Sequence, residues 1–165
     1  MKLANRHGWT AYGLALAIIA LDQLSKHWIL FVHDLPSRIS EPVVGPFYLT
    51  MVWNQGVSFG LLRADQDLGR WLLVGFSVVV AIVLAVWARR ADRGLMGAAL
   101  GLVMGGAIGN AIDRARFGAV VDFIDVSRLY FPWVFNIADA AITIGVILLL
   151  LDSLRRDAKP EGAKP

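Results

Sequence analysis

Four long apolar stretches, separated by segments that hold nearly all the charge, limit this chain to folds whose helices cross a bilayer. The hydrocarbon core is roughly 30 Å thick and an α-helix rises about 1.5 Å per residue, so about 20 apolar residues span it. Residues 71–88 and 94–112 carry no charge, and residues 133–151 carry only Asp139. The first stretch, about 9–32, is interrupted only by Asp22 and Lys26. Trp71 and Trp87 bracket the second, as aromatic anchors do at membrane interfaces. Hydrophobic residues make up 57% of the 165 and charged residues 18%. Soluble domains run about 45–50% and about 25%, so a soluble enzyme, a disordered chain and a nucleic-acid binder are all disfavoured. The chain has no cysteine, which excludes disulfides, thiolate nucleophiles and zinc–cysteine sites.

The expected fold is an all-α membrane protein: a single domain over 1–165 with four transmembrane helices, and outer loops at 34–70 and 113–132. Lysine and arginine set the orientation. Lys2 and Arg6, then Arg89, Arg90 and Arg93, then Arg155, Arg156, Lys159 and Lys164 fall on one side, which is therefore cytoplasmic; the two long loops hold six arginines at lower density. A cleavable signal peptide is the competing reading of the first stretch. Its apolar run is long for one, Asp22 and Lys26 interrupt it, and no A-x-A-like cleavage site follows.

The 34–70 loop is expected to carry a small extracytoplasmic β-ribbon between the first two helices. Pro36, Pro42 and Pro46 should keep its beginning out of helix. The run FYLTMVWN from Phe47 has a strand composition, Asn54-Gln55-Gly56 supplies a turn, and VSFGLL returns as a second strand. Asp65 or Asp67 is placed to cap the helix that follows. In the third span Gly97, Gly101, Gly105 and Gly109 recur every four residues, a stripe that lets a neighbouring helix approach closely.

A charge within a span costs at least about 2.5–3.5 kcal/mol at mid-bilayer, so each one needs a reason. Asp22 and Lys26 are four apart, share a helix face and can pair. Asn110 and Asp113, and likewise Asn136 and Asp139, are three apart at the outer ends of the third and fourth spans. Asp122 and Asp125 lie between them in FGAVVDFIDV. Four carboxylates and two amides therefore gather near one interface, with Arg114 and Arg116. Ordinary helix caps and a solvated loop explain any one of them, Asn136 and Asp139 included. They explain Asp122 and Asp139 together less well, because apolar sequence surrounds both.

The three histidines, His7, His27 and His33, have no metal-binding spacing. A Ser–Lys dyad would have to use Lys26 with Ser25 or Ser58. Two aspartates in a low-dielectric site are different: both cannot ionise cheaply, so they share a proton and supply an acid and a base at once. Such a pair activates water and protonates a leaving amine with neither metal nor covalent intermediate.

Five blocks in order resemble the bacterial lipoprotein signal peptidases, or signal peptidase II: Asp22-Gln23-Leu24-Ser25-Lys26, the Asn54–Gly60 block NQGVSFG, Gly109-Asn110-Ala111-Ile112-Asp113-Arg114, Val121-Asp122-Phe123-Ile124 and Phe135-Asn136-Ile137-Ala138-Asp139. The resemblance implies an intramembrane aspartic endopeptidase of the bacterial inner membrane. It would remove signal peptides from prolipoproteins, cutting before a cysteine that carries diacylglyceryl. Asp122 and Asp139 would be catalytic. Asn54, Asn110, Arg114 and Asn136 would line the substrate site, and Asp22, Lys26, Gly56 and Asp113 would support it. Asp125 carries over no role and reads as a surface charge or a neighbour of the site. No cofactor, metal or nucleic acid is implied; the partners are prolipoproteins and membrane lipids, and a monomer suffices. Two rivals come from other classes: a small transporter or proton conductor, which predicts acids spread through the membrane depth, and a non-catalytic assembly subunit.

Overall fold

The computed structural model describes residues 5–56 and 66–157. Helix α1 (Arg6–His27) runs into a π-helical turn, Trp28–Val32, and a short α2 (Leu35–Arg38) follows. Strands β1 (Ser40–Val44) and β2 (Phe47–Asn54) precede α3 (Gln66–Ala88) and α4 (Gly94–Phe117). Strand β3 (Val120–Asp125), a 3-10 turn (Ser127–Leu129), β4 (Val134–Phe135) and α5 (Ile137–Asp157) follow among the described residues. Among the described residues, four helical segments are long and apolar enough to cross a membrane: Arg6–Val32, Asp67–Ala88, Gly94–Phe117 and Ile137–Arg155.

Helix α4 is central. Its glycine stripe faces α1: a Cβ at Gly97 would stand 2.5 Å from the His7 carbonyl oxygen, one at Gly101 2.6 Å from that of Ala11, and one at Gly105 2.7 Å from Ile18 Cβ. Gly106, on the neighbouring face, lies against the Ala138 carbonyl of α5. Lipid offers helices no hydrophobic gain from meeting, so close backbone approach and dispersion hold such a bundle together. Leu16, Leu24, Phe76, Val79, Ile82, Ile147 and Leu150 point outward and are exposed, as lipid-facing side chains are. At the other end of the bundle Asp152 is buried and pairs with Arg93 at 3.6 Å.

The spans differ from expectation at the ends nearer the sheet. Helix α4 continues past 112 to Phe117, so Asn110, Asp113 and Arg114 are all helical; Gly118, at φ +81°, ends it with its N–H on the Arg114 carbonyl. Helix α5 starts at Ile137 rather than near 133, because Val134 and Phe135 pair with Asp125 and Ile124. Asp67 lies inside the first turn of α3 rather than ahead of it, and Asp65 is outside the described residues.

In place of a two-stranded ribbon there is a four-stranded antiparallel sheet in the order β1-β2-β3-β4. FYLTMVWN is the strand β2, as expected, but its partners are SEPVV before it and VVDFID, some 70 residues away in sequence, after it. VSFGLL lies outside the described residues. Pro42 is tolerated because β1 is an edge strand. Contrary to expectation, Pro36 does not prevent helix: it sits in the first turn of α2, where its missing N–H would have had no partner. Val121 and Phe123 pack with Ile29, Leu30 and Leu35 into a small core. Side chains alternate along a strand, which turns Asp122 to the opposite face.

Candidate active site

Asp122 and Asp139 come from a strand and a helix start, and three asparagines bring them into one hydrogen-bonded network. Asp122 is 1% exposed. Its Oδ2 accepts from Asn54 Nδ2 at 2.9 Å and its Oδ1 from Asn136 Nδ2 at 2.7 Å. Asp139 Oδ1 accepts from Asn110 Nδ2 at 2.7 Å, and Asn136 Nδ2 also donates to Asn110 Oδ1 at 3.1 Å. No hydrogen bond among the described residues joins the two carboxyls directly; the amides of Asn136 and Asn110 stand between them.

The polarity of each amide is set by a neighbour that can only donate. Asn54 Oδ1 accepts from the Gly56 N–H at 2.9 Å, a turn that Gly56 makes possible at φ +89°. Asn136 Oδ1 accepts from the Asp139 N–H at 2.9 Å, and Asp139 Oδ2 takes the Asn136 N–H in return, a reciprocal cap at the start of α5. Asn110 Oδ1 faces the Lys26 ammonium at 3.3 Å. With each oxygen turned to a donor, all three NH2 groups point at the carboxyls. The cap reading of Asn136 and Asp139 is thus realised, and the same residues join the network.

Beneath the network lies a buried ionic cluster. Lys26 Nζ is 2.8 Å from Asp22 Oδ2 and 2.7 Å from Asp113 Oδ2, with all three side chains at most 2% exposed. Asp22 Oδ1 accepts the Ala138 N–H, tying α1 to the start of α5. Asp113 Oδ2 accepts the Val121 N–H, tying α4 to the residue before Asp122. Gln23 donates to Asp113 Oδ1 at 2.8 Å and to the Gly109 carbonyl. The expected Asp22–Lys26 pair is present, then, with Asp113 as its third member. Lys26 Nζ is committed to two carboxylates, and Ser25 Oγ donates instead to the Asp22 carbonyl. That removes the Ser25–Lys26 dyad; Ser58 lies outside the described residues.

Arg114 is half-buried beside Gly56 and within Coulombic range of Asp139 and Asp122. Its Nε is buried with no hydrogen-bond partner among the described residues. Asp125 takes the Thr50 hydroxyl at 2.6 Å and the Ser127 N–H, and these hold its carboxyl below the usual range, as suits an ionised surface group. A cavity of about 520 Å³ adjoins the network, reached by Asn54 and Asp139 and walled by Phe131, Trp133, Ala140 and Thr143 among others. No group of three or more His, Cys, Asp or Glu among the described residues is arranged to hold a metal ion.

Sequence reasoning missed Gln23 and Arg70. Gln23 lay inside a quoted block and is marked by its spacing beside Asp22. Nothing local marks Arg70, whose partners are carbonyls of another helix.

Burial pushes the Asp122 carboxyl up to about 6; hydrogen bonds from Asn54 and Asn136 oppose the rise and the charge of Asp139 adds to it. Unfolded, the group titrates near 3.8. Between these values the folded chain holds a proton that the unfolded chain has lost, so stability falls as pH rises through the window. The unfolding midpoint of the detergent-solubilised protein should drop between pH of about 4 and about 6, and Asp122→Asn should remove this drop. The same pH dependence in that variant would assign the effect to other groups.

The fold and site define a class: a four-helix bundle of membrane-spanning character, with a small sheet at one end that carries a buried carboxyl. The profile of the family described as Signal peptidase (SPase) II matches residues 14–155. The lipoprotein signal peptidase of Caulobacter vibrioides is 60% identical over 150 residues, covering 90% of this chain and 89% of its own length. That of Methylorubrum extorquens is 52% identical over 143 residues, covering 85% and 82%. A solved structure described as a bacterial membrane enzyme matches with a TM-score of 0.76 at 29% identity, covering 94% of each chain, and a second with 0.75 at 30%, covering 88% and 92%. The chain belongs to the lipoprotein signal peptidase family.

Proposed function

We propose that this protein is an aspartic endopeptidase of the bacterial inner membrane that removes signal peptides from diacylglyceryl-modified prolipoproteins, cutting immediately before the lipidated cysteine. The observation that carries the reading is the convergence of Asp122 and Asp139, from separate segments, onto three asparagines of fixed polarity at the edge of a cavity of about 520 Å³. The whole chain acts as one peptidase domain and as a monomer. Both termini are cytoplasmic, and the sheet and site lie at the periplasmic face.

The mechanism follows from proton accounting. One carboxyl is ionised and takes a proton from the attacking water; the other is protonated and polarises the scissile carbonyl. The water oxygen bonds to the carbonyl carbon as the protonated carboxyl gives its proton to the carbonyl oxygen, and a tetrahedral diol results. That diol collapses with loss of the C–N bond: one of its hydroxyl protons returns to the carboxyl that donated, and the amine leaves with the proton taken from water. Burial raises the affinity of Asp122 for a proton, which suits it to the protonated role. Asn54, Asn110 and Asn136 direct their NH2 groups to the carboxyls and so hold the acids in place, and Asn54 also lines the cavity. Arg114, with an unmatched N–H near the pair, donates to a substrate carbonyl. Strand β2, up to the Gly56 turn, covers the substrate from the outer side.

The lipid requirement is tested on substrate. A diacylglyceryl precursor anchors its cleavage site at the membrane surface, which raises its local concentration and fixes its depth. The purified enzyme should cleave the lipidated precursor at least about 100-fold faster than the unlipidated one. Equal turnover of the two would reject lipid-dependent recognition while leaving peptidase activity intact.

A further inference from the structure

We infer that Arg70 is a positioning residue: it grips the last turn of α4 and thereby holds Arg114 turned toward Asp122 and Asp139. The final carbonyls of a helix have no donors within it. In α4 the Arg114 carbonyl takes the Gly118 N–H at 3.1 Å and Arg70 Nε at 2.7 Å, and the Ala115 carbonyl takes Arg70 Nη2 at 2.7 Å. Two donors of one rigid plane on successive carbonyls fix the rotation of that turn, which a point charge would not do. Arg70 is itself steadied by Asp67 at 3.8 Å, one turn earlier, and by the Trp71 ring at 5.0 Å.

Leu73, three residues on and on the same face of α3, lies against Gly56, where a Cβ would meet Leu73 Cδ1 at 2.8 Å and Arg114 Nη2 at 3.4 Å. The outer end of α3 therefore borders Arg114 twice, at its backbone through Arg70 and beside its guanidinium through the Gly56 turn. Arg114 Nε has no partner of its own among the described residues. The direction of this side chain is consequently set by its backbone and its walls, and Arg70 controls the first.

The inference rests on the reading of Arg114 as a substrate-contacting donor, and the full-length chain tests the two separately. Cleavage of a lipidated precursor is measured for Arg70→Met, Arg114→Met and the double variant, with unfolding midpoints recorded alongside. Arg70→Met should raise KM about tenfold with kcat within about twofold, and should change KM by less than about twofold once Arg114 is Met. Arg70→Lys keeps the charge without the fork and should give an intermediate KM; it carries the test if Arg70→Met does not fold. An unchanged KM in the folded Arg70 variants overturns the inference, as does the same loss with and without Arg114. Unaltered kinetics in Arg114→Met would overturn it together with the reading of Arg114, whereas an impaired Arg114→Met with a full Arg70 effect would overturn it alone.

Discussion

Asparagine in place of Asp139, or in place of Asp122, is expected to lower cleavage of a lipidated prolipoprotein by at least about 1,000-fold while the protein still inserts and folds. Asparagine matches aspartate in size and keeps a carbonyl oxygen. At 139 that oxygen still accepts from Asn110 Nδ2, and at 122 one oxygen still accepts from Asn136 or Asn54. Each variant therefore keeps one of its two accepted contacts and turns its own NH2 toward the other donor, a local cost that the rest of the network absorbs. What is lost is chemistry, because an amide neither takes a proton from water nor delivers one to a carbonyl oxygen. Folding need not suffer at 122, where the native carboxylate carries a desolvation penalty at neutral pH that the amide does not. Gel-shift cleavage by the purified variants is the measurement. Near-normal cleavage by either one removes that residue from the pair.

Lys26→Met is expected to cost about 3–5 kcal/mol of stability, because it leaves Asp22 and Asp113 buried without a cation. Both aspartates are 0% exposed, and each also accepts a backbone N–H from a different element, Ala138 of α5 and Val121 of β3. Neutralising them as well, with Asp22→Asn and Asp113→Asn, should recover a large part of the loss, since an uncharged amide accepts the same N–H without needing a cation. Unfolding midpoints in detergent decide the matter. A Lys26→Met protein as stable as wild type would show that the cluster is not held by its charge balance. The cost falls on the site too: the same lysine faces Asn110 Oδ1 and so sets which way that amide points.

The helices were legible because their signal is local and strong. Uncharged runs at 71–88 and 94–112 lie wholly within α3 and α4. The glycine repeat marked a packing face on the third span, since a four-residue period on a helix is a face, and the structure seats α1 on it. The pairing of Asp22 with Lys26 followed from the same geometry. The sheet was legible only in part. Its central strand β2 stood out by composition, but Ser40–Val44 contains a proline, and Val134–Phe135 is two residues long and merged with the apolar run after it. Nothing in either segment announces a partner, because strand pairing is a contact between distant stretches rather than a property of one. For this reason the sequence alone leaves Asp122 in a loop, whereas pairing with β2 makes it a strand residue.

What the amino-acid order determined by itself was the set of membrane-length helices, the residue types gathered at one end of them and the family to which the motifs point. Each depends on short-range spacing or on composition, and these survive in a one-dimensional reading. Tertiary structure alone decided that Asn54, Asn110 and Asn136 turn their NH2 groups to the two carboxyls, that Asp113 completes the Lys26 cluster, and that Arg70 clasps the end of α4. The physical reason is that an amide or a guanidinium takes its direction from the donors and acceptors around it, and here those belong to other elements of the chain.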